Sequence, residues 1–119
     1  MSHLVSIQTQ LRDPGAIAAA CERLKLATPV PGTAKLFSGE ATGLLVQLPG
    51  WQYPVVIDTA VGTIKLDDYE GHWGDRKELD RLLQTYAVEK AKIEARRKGL
   101  TCNESVLQDG SIKLQITAA

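Results

Sequence analysis

Cysteine is nearly absent from this 119-residue chain: Cys21 and Cys102 are the only two. They are too few for a disulfide framework or a four-cysteine zinc site, and neither stands in a CxxC pair. Histidine is as scarce, which confines any general acid and base scheme to His3, His72 or perturbed carboxylates. No GxxxxGK[ST] loop, GxGxxG turn, HExxH helix or GxSxG elbow occurs, so the common phosphate, dinucleotide, zinc and serine-nucleophile signatures are missing. Charge of one sign is not in excess either: 14 basic residues stand against 14 acidic ones. Without a net charge, the long-range attraction that gathers nucleic acid or anionic lipid around a basic protein is lost. No run approaches the ~18 consecutive apolar residues of a membrane helix. Met1 to Arg12 carries no basic segment followed by an apolar stretch. These absences lead us to expect one soluble, unexported, cytoplasmic domain over residues 1–119, with no cofactor, metal or disulfide needed for folding.

The chain does carry clear periodicities. Val5, Ile7 and Leu11 share one parity while Ser6, Gln8 and Gln10 share the other, the pattern of a strand with one covered face. Asp13 followed by Pro14 predicts a helix start, and Ile17, Ala20, Cys21 and Leu24 form its i, i+3, i+4, i+7 stripe. Cys21 lies inside that stripe, which predicts a buried and inert thiol. Pro29 to Gly32 cannot extend the helix. Four strand-like runs follow, over 33–37, 41–48, 53–58 and 62–67. A long helix is predicted from Arg76 to Lys98, with Asp75 and Glu78 in capping-box spacing and Gly99 as its left-handed stop. Two last runs, 101–107 and 111–117, flank Asp109-Gly110 and suggest a type I′ hairpin. The order β-α-β-β-β-β-α-β-β packs most simply as an α+β domain, an antiparallel or mixed sheet with two helices on one face.

Three features could carry function. The first is the segment from Asp67 to Asp75, in which Asp67, Asp68, Glu70, Asp75 and His72 crowd together. Such density could hold a divalent cation, but Tyr69 and Gly71 fall where an EF-hand needs carboxylates, so a helix-capping loop is the simpler expectation. The second is aromatic: Trp51 and Tyr53 occupy one connection, Tyr69 and Trp73 another. Rings in connections either fold back over the core or serve as contact surface, because they bury much area at little rotamer cost. The third is a charge gradient. Residues 67–80 hold six acids against two bases, and residues 90–98 hold five bases against one acid. A helix dipole favours that arrangement by itself, and the basic end has no interleaved base-stacking rings.

The opening Met1-Ser2-His3, then Ile7-Gln8-Thr9 and Arg12-Asp13, resembles hypothetical chloroplast reading frame thirty-five and its bacterial relatives, the domain-of-unknown-function family numbered twelve fifty-seven. The C-terminal half is similar as well, through Leu83-Gln84-Thr85-Tyr86-Ala87, Gly99, and Asp109-Gly110-Ser111-Ile112-Lys113-Leu114. The middle, Ala34 to Trp73, and the ending Ala118-Ala119 depart from the plastid pattern, which points to a bacterial branch. The resemblance implies a small soluble protein with bacterial members encoded beside AAA-type ATPases. It brings no agreed activity, cofactor or catalytic residue. His3 is the one matching residue with chemistry to offer, and a strand-start side chain bound to a backbone carbonyl is its plainer role.

The expectation is therefore a non-catalytic binding or adaptor domain that presents Trp51, Tyr53, Tyr69, His72 and Trp73 to a protein partner, with an AAA-type ATPase and a second copy of the chain both open as partners. Two alternatives stand beside it. One is a small enzyme using His72 with Asp68 or Glu70. The other is a nucleic-acid module using Lys92, Arg96 and Arg97.

Overall fold

A computed structural model describes residues 4–118, so the expectation for His3 lies outside the described residues. The elements follow the anticipated order and the class is α+β. Strands β1 (Leu4–Gln8), β2 (Val30–Leu36), β3 (Gly39–Val46), β4 (Val55–Asp58) and β5 (Thr63–Asp67) form one antiparallel sheet in the order β1-β5-β4-β3-β2. Helix α1 (Pro14–Arg23) starts where Asp13 accepts hydrogen bonds from the backbone N–H groups of Gly15 and Ala16 at 2.9 and 3.3 Å. Helix α2 (Arg76–Arg97) is capped by Asp75, whose carboxylate accepts from Lys77 N–H at 2.9 Å. Glu78 pairs with Arg81. Both helices cover one sheet face. Ile17, Ala20 and Cys21 of α1 and Leu79, Leu82 and Tyr86 of α2 pack with Val46, Val55, Ile57, Ile64 and Leu66 in a single cluster. Burial pushes the Cys21 thiol up, away from its reactive form.

The opposite face is closed by the sheet itself. In a flat sheet the β2–β3 turn and the end of β5 would lie about 30 Å apart, because roughly nine residues of strand separate their levels. Yet Ser38 N–H donates to the Asp67 carboxylate at 3.0 Å. The outer half of the β2–β3 hairpin must therefore fold back across the second face, where Ala34, Leu36 and Ala41 bury against Val56, Leu4 and Leu45. Gly32 and Gly43 stand directly opposite each other where the hairpin leaves the sheet. A side chain at Gly43 would collide with the carbonyl oxygen of Ile57, so that bend is open only to glycine.

The last two strands, β6 (Leu100–Val106) and β7 (Ile112–Ala118), do not join this sheet. They make a separate hairpin that runs back along α2. Its turn differs from the type I′ expectation. Gly110 N–H bonds to Leu107 O, Leu107 N–H bonds to Ser111 O, and Gly110 has φ +86°, which leaves a three-residue loop with the glycine in the left-handed position. The hairpin is pinned by Glu104, whose two carboxylate oxygens each accept from Arg23 of α1 at 2.6 Å.

Hydrogen bonding from Arg23 holds the Glu104 carboxyl below its usual range, and hydrogen bonding from Lys90 does the same for Asp13. A carboxylate depressed in the folded state contributes stability above its unfolded pKa, and that contribution is lost as pH falls through the folded value. The melting temperature is thus expected to stay nearly flat down to about pH 5 and to decline below about pH 4. Thermal melts of Glu104→Gln should show a shallower acid decline than wild type. An equal decline would place the titrating pair elsewhere.

Candidate functional site

Three connections that are distant in sequence meet at the Asp67 end of β5. The first is the Phe37–Ser38 turn, held by the Ser38 to Asp67 bond. The second is the 47–54 connection after β3, and the third is the 68–75 connection into α2. Gln52 N–H donates to Trp73 O at 2.8 Å, which ties the second to the third. The third is folded tightly on itself: Gly71 and Trp73 both donate to Asp68 O, and Tyr69 and Glu70 adopt φ +46° and +53°. Its Asp68 carboxylate is buried and accepts from Arg76 Nε at 2.5 Å, so the start of α2 is anchored to the loop that precedes it.

Trp73 is the centre of the resulting ring cluster. Its indole stacks on Tyr69 at 4.8 Å and meets Tyr53 edge-on at 5.5 Å and Phe37 at 5.0 Å between centroids. His72 lies on the outer side of Tyr69, 4.9 Å away, and is exposed. Phe37 is 62% exposed and Tyr69 39%, while Tyr53 and Trp73 are half-buried. Four of the five expected residues, Tyr53, Tyr69, His72 and Trp73, are thus brought together at the surface.

Trp51 is not among them, and its expected exposure is corrected: it is 5% exposed and belongs to the main core. Gly50, at φ +73°, turns the chain so that the indole drops inward. Its ring lies against Gly74, where even a methyl group would overlap it, and its Nε1–H donates to Asp75 O at 3.1 Å. The sequence carried no sign of this, because Gly74 adjoins Trp73 and meets Trp51 only in the folded chain. Phe37 was missed. Its ring falls on the parity of the exposed Thr33 and Lys35, not that of the buried Ala34 and Leu36, and an apolar ring on the polar parity at a strand end was the sign.

The other expected groups do not converge. Asp68 is engaged by Arg76, Glu70 is exposed, and the His72 ring contacts Tyr69 with no carboxylate hydrogen bond among the described residues. Concavities of about 450 and 370 Å3 lie elsewhere, the first lined by Leu11, Leu83, Tyr86 and Ala91 and the second by Lys77, Arg81 and Ser111. Among the described residues, no three ligating side chains group to hold a metal ion. At the basic end of α2, Lys92 bonds Glu89 and Glu104 at 3.3 and 3.4 Å, Arg97 reaches Glu94 at 3.5 Å and Lys90 reaches Asp13 and Glu94 at 2.9 and 2.8 Å, so acids of the same chain already answer three of its charges. Arg96 is exposed. No described helix is long and apolar enough to cross a membrane.

No family model, curated protein or solved structure matches this chain. The ring cluster must be judged by its own physics. A contiguous group of large rings that stays partly in water costs solvation free energy the fold could have recovered by burying them, and such patches mark interaction surfaces on soluble domains.

Proposed function

We propose that the protein is a non-catalytic binding or adaptor domain that docks a protein partner on Phe37, Tyr53, Tyr69, His72 and Trp73. The observation that carries the reading is the convergence of rings from three separate connections onto one partly exposed surface. Clustered aromatic anchors of this type are where protein interfaces concentrate their binding energy. Glu70 is exposed beside the rings, which favours a partner segment with an apolar or aromatic anchor and basic neighbours. The resemblance to the chloroplast reading frame and its bacterial relatives makes a cytoplasmic AAA-type ATPase the first partner to try.

The test is affinity capture from the native host and direct titration against that ATPase, with wild type, Phe37→Ala, Tyr69→Ala and Arg96→Glu. The first two should weaken binding at least about tenfold, the size expected of an interface anchor. Both rings are partly exposed and each packs on Trp73, so their unfolding free energies should fall by about 0.5–1.5 kcal/mol, the worth of an aromatic pair, and not by the larger cost of a core ring. Arg96→Glu should bind normally. Unchanged binding by both ring variants, or selective loss in Arg96→Glu, would move the interface away from the rings.

A further inference from the structure

The β6–β7 hairpin is built like half of something larger. Leu100, Cys102, Glu104 and Val106 stand opposite Ala118, Ile116, Leu114 and Ile112 and share its inner face, while Thr101, Asn103, Ser105, Lys113, Gln115 and Thr117 share the outer one. The outer face is polar throughout. The inner face is apolar apart from the pinned Glu104, yet α2 covers it only in part: it contacts β6 far more than β7, and Ile116 and Val106 remain 45% and 70% exposed. A two-stranded sheet is marginal in water unless its apolar face is covered or further strands join it.

The outer edge of β7 is open among the described residues, since β6 is its one neighbour. The Leu107 to Ser111 hydrogen bond fixes the alternation of the ladder, so the N–H and C=O groups of Leu114 and Ile116 point away from β6. Open edges are commonly blunted by proline, by charges such as lysine, by bulges or by short length. Edge strand β2 carries Pro31, Gly32 and Lys35, whereas β7 has Lys113 alone and alternates Ile112, Leu114 and Ile116 without interruption.

The molecule is also more extended than a compact domain of its length. Its radius of gyration is 15.3 Å, against about 13.5 Å for a compact domain of this length. Its 7161 Å2 of surface exceeds the roughly 6,300 Å2 expected by about 850 Å2. That excess matches the ~800 Å2 each partner contributes to a standard stable interface.

We propose that the occupant of this edge is a second copy of the chain, with β7 pairing antiparallel to β7 across a two-fold axis. The product is a four-stranded sheet, β6-β7-β7-β6, with an α2 helix from each copy over the same face. Each Ile116 then lies beside Ile112 or Leu114 of the other copy, which covers the overhanging apolar row. Charge permits this pairing. A two-fold centred on Leu114 sets Lys113 opposite Gln115, and one centred on Gln115 sets it opposite Thr117, so neither register places lysine against lysine.

Sedimentation equilibrium on the full chain, from micromolar to millimolar concentration, should show the mass rising from 12.9 kDa toward twice that value. In the same series, amide exchange at Leu114 and Ile116 should slow as the dimer fills. Ile116→Lys should remain at the monomer mass with wild-type far-ultraviolet circular dichroism. A wild type that stays monomeric throughout would overturn the proposal. So would a dimer in which the Leu114 and Ile116 amides still exchange as freely as in the monomer, since the copies would then meet elsewhere. The exchange measurement needs only the wild-type protein, so the proposal stays open to refutation even if the lysine variant does not fold.

Discussion

Replacing Trp51 with alanine is expected to cost about 3–5 kcal/mol, the range for removing a large aromatic side chain from a packed core. The indole contributes to the cluster shared by both helices and the sheet, and its Nε1–H satisfies the carbonyl of Asp75, the capping residue of α2. Alanine removes the ring, opens a cavity and takes away one of the hydrogen bonds to that carbonyl, which keeps the Glu78 N–H at 3.0 Å. Urea unfolding of Trp51→Ala should show the full loss, with a fall in melting temperature of at least about 10 °C. Phe37→Ala, which removes a ring that is 62% exposed and packs on Trp73, should cost far less, about 0.5–1.5 kcal/mol. Similar losses in the two variants would mean that the rings do not divide into one beneath the surface and others upon it.

Gly74→Ala should be nearly as damaging, for the opposite reason. The added methyl group would occupy space already held by three atoms of the Trp51 indole. The ring is buried and hydrogen-bonded, so it has little room to retreat. Overpacking of this kind costs typically 1–3 kcal/mol, and we expect the upper end, about 3 kcal/mol. The effect should be conditional. In a Trp51→Leu background, where the clashing ring is gone, Gly74→Ala should cost less than about 1 kcal/mol, giving a coupling of about 2 kcal/mol between the two positions. Additive losses in the double-mutant cycle would show that the indole does not lie over Gly74.

Local chemistry made much of the fold legible. The Asp13-Pro14 start of α1, the Asp75 cap of α2, the Gly99 stop and the alternation of β7 are decided by neighbours in sequence, and each appears where its residues predict. What could not be read depended on register. Gly32 and Gly43 are unremarkable glycines until the β2–β3 pairing sets them face to face, and only then do they form the bend that carries Phe37 to Asp67. The same bend decides the site. From sequence, Trp51 and Trp73 looked alike as loop tryptophans, and what separates them is Gly74, which opens space beneath one ring, and the folded-back hairpin, which brings Phe37 beside the other. The detached hairpin was equally hidden, because its strands carry the same alternation as those of the main sheet.

The account turns on the folded-back hairpin meeting the loop before α2, and a nuclear Overhauser experiment on the free protein tests that meeting most directly. Phe37 and Trp73 are far apart in sequence, with ring centroids 5.0 Å apart, so cross-peaks between the Phe37 ring protons and the Trp73 indole are expected. Complete assignments in which Phe37 shows contacts to its own hairpin and none to Trp73 would contradict the assembled surface and, with it, the binding role assigned to those rings.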